Sequence, residues 1–191
     1  MSGMSESVYE TSPGEIMDRL MKAVMDGWMR DMLNSNLTTW DFAVDTITEI
    51  DVWKDRNEDS VVDLLAFFAR DATGNLSLDK EEFVQLWSRL TPEQKEAFLK
   101  NLYHSMALRG LTDLLNHVSG NLKLNEAKEY LSGVISFRDL IQRLIEKYTE
   151  NGSRSEAESV HAGIELADYV GGRELKELVR KIVLPKLMKR E

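Results

Sequence analysis

Asp71, Thr73, Asn75, Ser77, Asp79 and Glu82 are the residues of this chain whose types and spacing could do chemistry. Counted from Asp71, oxygen-bearing side chains stand at positions one, three, five and nine, Ser77 is seventh, and a glutamate closes the run at twelve. A loop of that length can wrap its oxygens around a hard cation such as Ca²⁺. The same residues also fit a bend that needs no metal. Asp79 would then cap a helix starting at Lys80, with Glu82 as its capping-box partner, while Asp71 and Asn75 would be turn residues.

Apolar Leu64 to Phe68 leads into this run, and Phe83, Val84, Leu86 and Trp87 lead out of it. With those flanks the stretch resembles an EF-hand. The resemblance implies a helix-loop-helix with one calcium ion as cofactor. Asp71, Thr73 and Asn75 would coordinate it by side chain, Ser77 by its backbone carbonyl, Asp79 directly or through water, and Glu82 bidentately. Leu76 stands where the family has glycine, at a sharp turn of positive φ, which costs a leucine roughly 1–2 kcal/mol. Among these six ligand positions only Asp71, Asp79 and Glu82 bring formal negative charge. Both departures imply weak binding, on the order of 10⁻⁴ M or worse.

A second copy follows at His117 to Lys128, at an offset of 46 residues (117 minus 71). Gly74, Asn75, Leu76 and Leu78 are matched by Gly120, Asn121, Leu122 and Leu124. Repetition of one supersecondary unit implies two hands that bury their faces against each other. In the family the eighth residues of paired loops meet in a short two-stranded ladder, which here would join Leu78 to Leu124. His117 opens this second run and Lys128 closes it. An ammonium in place of the closing carboxylate repels a cation, so the second loop is expected to be metal-free.

The elements that must position these loops read as helices. Ser12-Pro13-Gly14-Glu15 and Thr91-Pro92-Glu93-Gln94 are capping boxes with proline at the first helical position. The first opens a helix carrying Met17, Met21, Met25, Met29 and Met32 beside Leu20, Val24 and Trp28; core is the expectation for this methionine stripe, and an exposed interaction face the alternative. A second helix starts at Thr38 or Thr39, and Asp59 or Ser60 is expected to cap the helix entering the first loop. Gly110 reads as a turn, and Phe137 to Tyr148 as a further helix. Ser155 to Glu158 restarts a helix that Gly171-Gly172 ends. The tail from Arg173 is a basic amphipathic helix with Leu175, Leu178, Val179, Ile182 and Val183 on one side, which Pro185 should kink or end. It could dock on the chain itself, on an anionic membrane surface, or on another protein.

Composition narrows the function. The 191 residues are 42% hydrophobic and 30% charged, which fits a globular chain rather than a disordered one. Cysteine is absent, which excludes disulfides, thiolate zinc and thiol catalysis. His104, His117 and His161 form no two-histidine zinc motif, and neither a P-loop, a dinucleotide fingerprint nor a nucleophile elbow occurs. The net charge of −9 is uneven: −8 over residues 1–60, −5 over 61–172 and +4 over 173–191. That balance argues against nucleic acid as a partner. No apolar run approaches the roughly 18 residues of a membrane span. Residues 1–10 are polar and acidic, unlike a signal peptide, so cytoplasmic residence is the default.

The expected architecture is all-α. An acidic, methionine-rich helical segment spans 1–58, an EF-hand-like pair 59–132, and C-terminal helices with the basic tail 133–191. The expected function is non-enzymatic: an adaptor that meets another protein through an apolar helical groove or the basic C-terminal helix, with one weak calcium site at the first loop. The alternative is a metal-independent helical scaffold, assembly subunit or inhibitor, such as a viral or bacterial accessory protein.

Overall fold

A computed structural model describes residues 11–70 and 77–189, and no strand occurs among the described residues. The elements are α1 (Pro13–Leu33), α2 (Thr39–Arg56), α3 (Glu58–Ala69), α4 (Lys80–Ser88) and α5 (Pro92–Val118), followed by a 3₁₀ turn (Ser119–Asn121). Then come α6 (Leu124–Leu131), α7 (Phe137–Glu150), α8 (Arg154–Ala167), α9 (Gly172–Leu178), a π turn (Val179–Val183) and α10 (Leu184–Met188). The all-helical class read from the sequence therefore holds for these residues, and no helix among them is long and apolar enough to cross a membrane. Contacts divide the chain into two compact units, Met1–Asn36 with Ile47–Tyr103, and Leu37–Thr46 with His104–Glu191.

In the first unit, Ser12 caps α1 through its Oγ, which accepts from the Glu15 N–H at 3.3 Å, with Pro13 in the first turn. One stripe of α1 (Ile16, Leu20, Ala23, Val24, Gly27, Trp28) is buried, and α1 packs on α3 and α4. Met17, Met21, Met25, Met29 and Met32 run beside that stripe and are half-buried, at the edge of the core rather than inside it. At the crossing with α3 the backbones nearly touch: a Cβ on Gly27 would lie 1.5 Å from the Phe68 carbonyl oxygen. Asn57, not Asp59 or Ser60, caps α3. Its extended backbone (φ −159, ψ 101) aims its Oδ1 at the Asp59 N–H, 3.0 Å away.

In the second unit, Gly110 does not turn the chain. α5 runs through it without a break, and the glycine is needed for packing: a Cβ there would meet Leu166 Cδ1 at 2.8 Å and the Trp40 Cα at 3.2 Å. α7 and α8 form a close antiparallel pair that buries Leu140, Ile141, Leu144, Val160 and Ile164. The α8 helix ends at Ala167, and Gly171 and Gly172 begin the next one instead of closing this one. The basic tail docks within its own unit: Leu175, Val179, Val183 and Leu187 are buried, and α10 packs on α6. Lys186 Nζ donates to the Asn116 carbonyl at 3.1 Å, near the C-terminal end of α5, where a cation is favourable. Pro185, where a stop or kink is expected, lies inside α10. The π turn just before it, closed by Leu184 N–H to Val179 O, widens the helix ahead of the proline ring.

Candidate functional site

α3 and α4 border the run from Asp71 to Glu82. Asp71, Thr73 and Asn75, together with Leu76, lie outside the described residues; Ser77, Asp79 and Glu82 are described. Leu78 is 1% exposed, and its N–H donates to the Ala69 carbonyl at 2.9 Å, which ties the start of α4 to the end of α3. Ser77 Oγ is buried and has no hydrogen-bond partner among the described residues. Asp79 is the N-cap of α4, its Oδ1 accepting from the Glu82 N–H at 2.8 Å.

That cap draws two carboxyls together. The Glu82 amide holds Asp79 below the ordinary carboxylate range. Burial pushes Glu82 up, the neighbouring Asp79 carboxyl adds to it, and Arg19 opposes. Arg19 Nη2, from α1, lies 3.6 Å from Glu82 Oε2. Asp79 and Glu82 could therefore turn oxygens toward a metal ion, and a guanidinium already answers one of them. No group of three or more His, Asp or Glu residues able to hold a metal occurs among the described residues.

The second run bends differently from the alignment by sequence. Leu122 is 3% exposed, with extended backbone (φ −88, ψ 154), and Lys123 is the N-cap of α6. Leu124 is the first residue of that helix, so it cannot enter a ladder with Leu78. Leu78 and Leu122 are instead the matching residues, each buried one place before a cap. Glu82 and Glu126 match as third residues of their helices, at an offset of 44 (126 minus 82). The repeat is thus preserved in burial but two residues out of register, because the 3₁₀ turn starts the exit helix early.

Around Glu126 the loop is closed by protein groups. Its Oε1 accepts from the Lys123 N–H at 3.0 Å and from Lys147 Nζ at 3.1 Å. Lys147 Nζ also donates to the Asn121 carbonyl at 2.6 Å, and Arg143 Nη1 lies 3.7 Å from Glu126 Oε2. Burial pushes the Glu126 carboxyl up, but the Lys123 amide, Lys147 and Arg143 outweigh it and leave it below the usual value. His117 is exposed, with its ring 5.5 Å from that of Trp40, and Lys128 is exposed too.

Arg19, Arg143 and Lys147 were not legible as partners of these loops. A faint signal existed for two of them: Arg143 and Lys147 are four apart on α7, hence on one face of the helix. No protein-family model matches this chain, and neither a curated protein nor a solved structure shows significant similarity to it.

Proposed function

We propose that this chain is a non-enzymatic helical interaction protein, an adaptor or scaffold, whose two EF-hand-like bends are closed by protein groups, the second of them by its own cations. The observation that carries the reading is the placement of Lys147. Its ammonium bridges a loop carbonyl, Asn121 O, and a helix carboxylate, Glu126, as a metal would in a coordinating loop. Arg19 stands in a related position beside Glu82. The charged groups gathered at both bends cap helices and neutralise one another, which is structural work. The surface offered to a partner is the half-buried methionine edge of α1, a soft and adaptable apolar face suited to an amphipathic helix.

A second reading keeps one weak calcium ion at Asp71, Thr73, Asn75, Ser77, Asp79 and Glu82. What favours it is the meeting of the Asp79 and Glu82 carboxyls, whose mutual repulsion a divalent cation would relieve. Thermal melts with millimolar calcium and with chelator, on the parent chain and on Glu82→Gln, separate the two. The first reading expects identical melts in both media. A calcium-dependent rise in Tm that Glu82→Gln abolishes would replace it with the second. For the interaction face, Met21→Glu with Met25→Glu should leave the melt nearly unchanged and remove the proteins retained from a lysate of the source cell. Retention that survives both substitutions would take the methionine edge out of the proposal.

A further inference from the structure

The second unit holds a cavity of about 430 Å³ between the α6–α7 turn and the α8–α9 turn. That volume lies within the range of small-molecule sites. Phe137, Ile164 and Leu175 form apolar wall. Tyr130, 4% exposed, lines the same space. Burial pushes its pKa up to about 12, so the group is a hydrogen-bond donor at neutral pH.

Two cations line the cavity as well. Arg138 is exposed, with the Asp139 carboxylate as its electrostatic neighbour, and Lys176 is half-buried. One carboxylate, Asp168, lines it opposite in sign. The balance is one acid against two bases and a phenol donor, over an apolar floor.

We propose that this cavity binds a small amphipathic carboxylate, with the acid held by Arg138, Lys176 and the Tyr130 hydroxyl and the apolar body lying against Phe137, Ile164 and Leu175. Apolar contact alone would take any chain of the right size. The two cations and the donor set the sign of the head group. This site is independent of the methionine edge of α1 and of both loops.

The test uses the full chain and sodium decanoate below its micelle concentration, with decylamine and acetate as controls, read by calorimetry. Decanoate should bind at one saturable site, acetate should not bind measurably, and decylamine should bind at least roughly tenfold more weakly. The surface double variant Arg138→Gln/Lys176→Gln should weaken decanoate by roughly tenfold or more, and Tyr130→Phe by about threefold or more. Asp168→Asn should tighten it, because a repelling charge is removed. Equal affinity for decanoate and decylamine, decanoate binding unchanged in the double variant, or absence of decanoate binding at millimolar concentration would each overturn the proposal.

Discussion

Glu82 and Glu126 occupy the same place, the third residue of α4 and of α6, yet their carboxyls are driven in opposite directions. Burial raises both. Beside Glu82 stands a second carboxyl, Asp79, with one guanidinium 3.6 Å away. Around Glu126 stand an amide N–H, an ammonium at 3.1 Å and a guanidinium at 3.7 Å. For Glu126 the Lys123 amide and two cations outweigh burial; for Glu82 burial and the Asp79 carboxyl together outweigh Arg19.

Opposite shifts predict opposite responses to acid. The folded pKa of Glu126 is depressed, so its contribution to stability is full above its unfolded value near 4.5 and is lost as pH falls through the folded value. For Glu82 the folded pKa is raised, so its contribution is full below the unfolded value and is lost as pH rises through the folded one. At neutral pH, Glu126→Gln or Lys147→Met should therefore cost about 1–3 kcal/mol by urea denaturation. Glu126→Gln should also lose stability less steeply than the parent below about pH 4.5. Glu82→Gln, measured in chelator, should lie within a few tenths of a kcal/mol of the parent or slightly above it. A Glu126→Gln chain as stable as the parent at pH 7 would show that the Lys147 contact holds nothing together.

Gly27 and Gly110 sit at helix crossings, and their substitutions are predicted to separate from that of Gly14. The Cβ of Gly27→Ala meets a backbone carbonyl at 1.5 Å, which no side-chain rotation relieves, so α1 and α3 must move apart. A loss of about 3 kcal/mol or a failure to fold is expected. Gly110→Ala meets a movable Leu166 methyl first, then the Trp40 backbone at 3.2 Å, and should cost about 1–3 kcal/mol. Gly14→Ala meets nothing within 4 Å and should be neutral or stabilising by a few tenths of a kcal/mol. Denaturation midpoints of the three variants check the order; Gly27→Ala melting with the parent would refute the close crossing.

The same glycines show what could and could not be read ahead of the structure. Caps are local, so Ser12 and Thr91 were legible in the sequence, and Thr91 makes both bonds of its box with Gln94. Asn57 takes the place expected for Asp59 or Ser60 because cap choice depends on where the preceding helix lets go. Gly110 reads as a turn when only the chain around it is seen, and its role comes from Trp40 and Leu166, far away in sequence. The candidate site divides in the same way. Asp79 as a cap follows from its neighbours, whereas Arg19 and Lys147, which answer the two glutamates, come from helices 63 and 21 residues distant (82 minus 19, 147 minus 126). The register of the repeat was hidden because the 3₁₀ turn shifts the helix start without altering the leucine pattern.

Trp40 gives a prediction that tests a half-buried polar chain. Its indole Nε1–H donates to Ser159 Oγ at 2.6 Å, and the Ser159 hydroxyl donates to Asp41 Oδ2 at 2.9 Å. Thr38 Oγ1 donates to the same Asp41 oxygen at 2.7 Å and accepts from the Asp41 N–H at 3.2 Å. The start of α2 is thereby fixed to α8 through one carboxylate. Trp40 is 7% exposed, so Ser159→Ala strands its N–H away from water and should cost about 1–2 kcal/mol. With Trp40→Phe in place there is no indole donor left to strand, and Ser159→Ala should then cost well under half as much. The double-mutant cycle reads that difference directly, since coupled residues deviate from additivity by about 0.5–3 kcal/mol. Strict additivity of the two substitutions would mean that the indole finds another acceptor, and that Ser159 serves Asp41 alone.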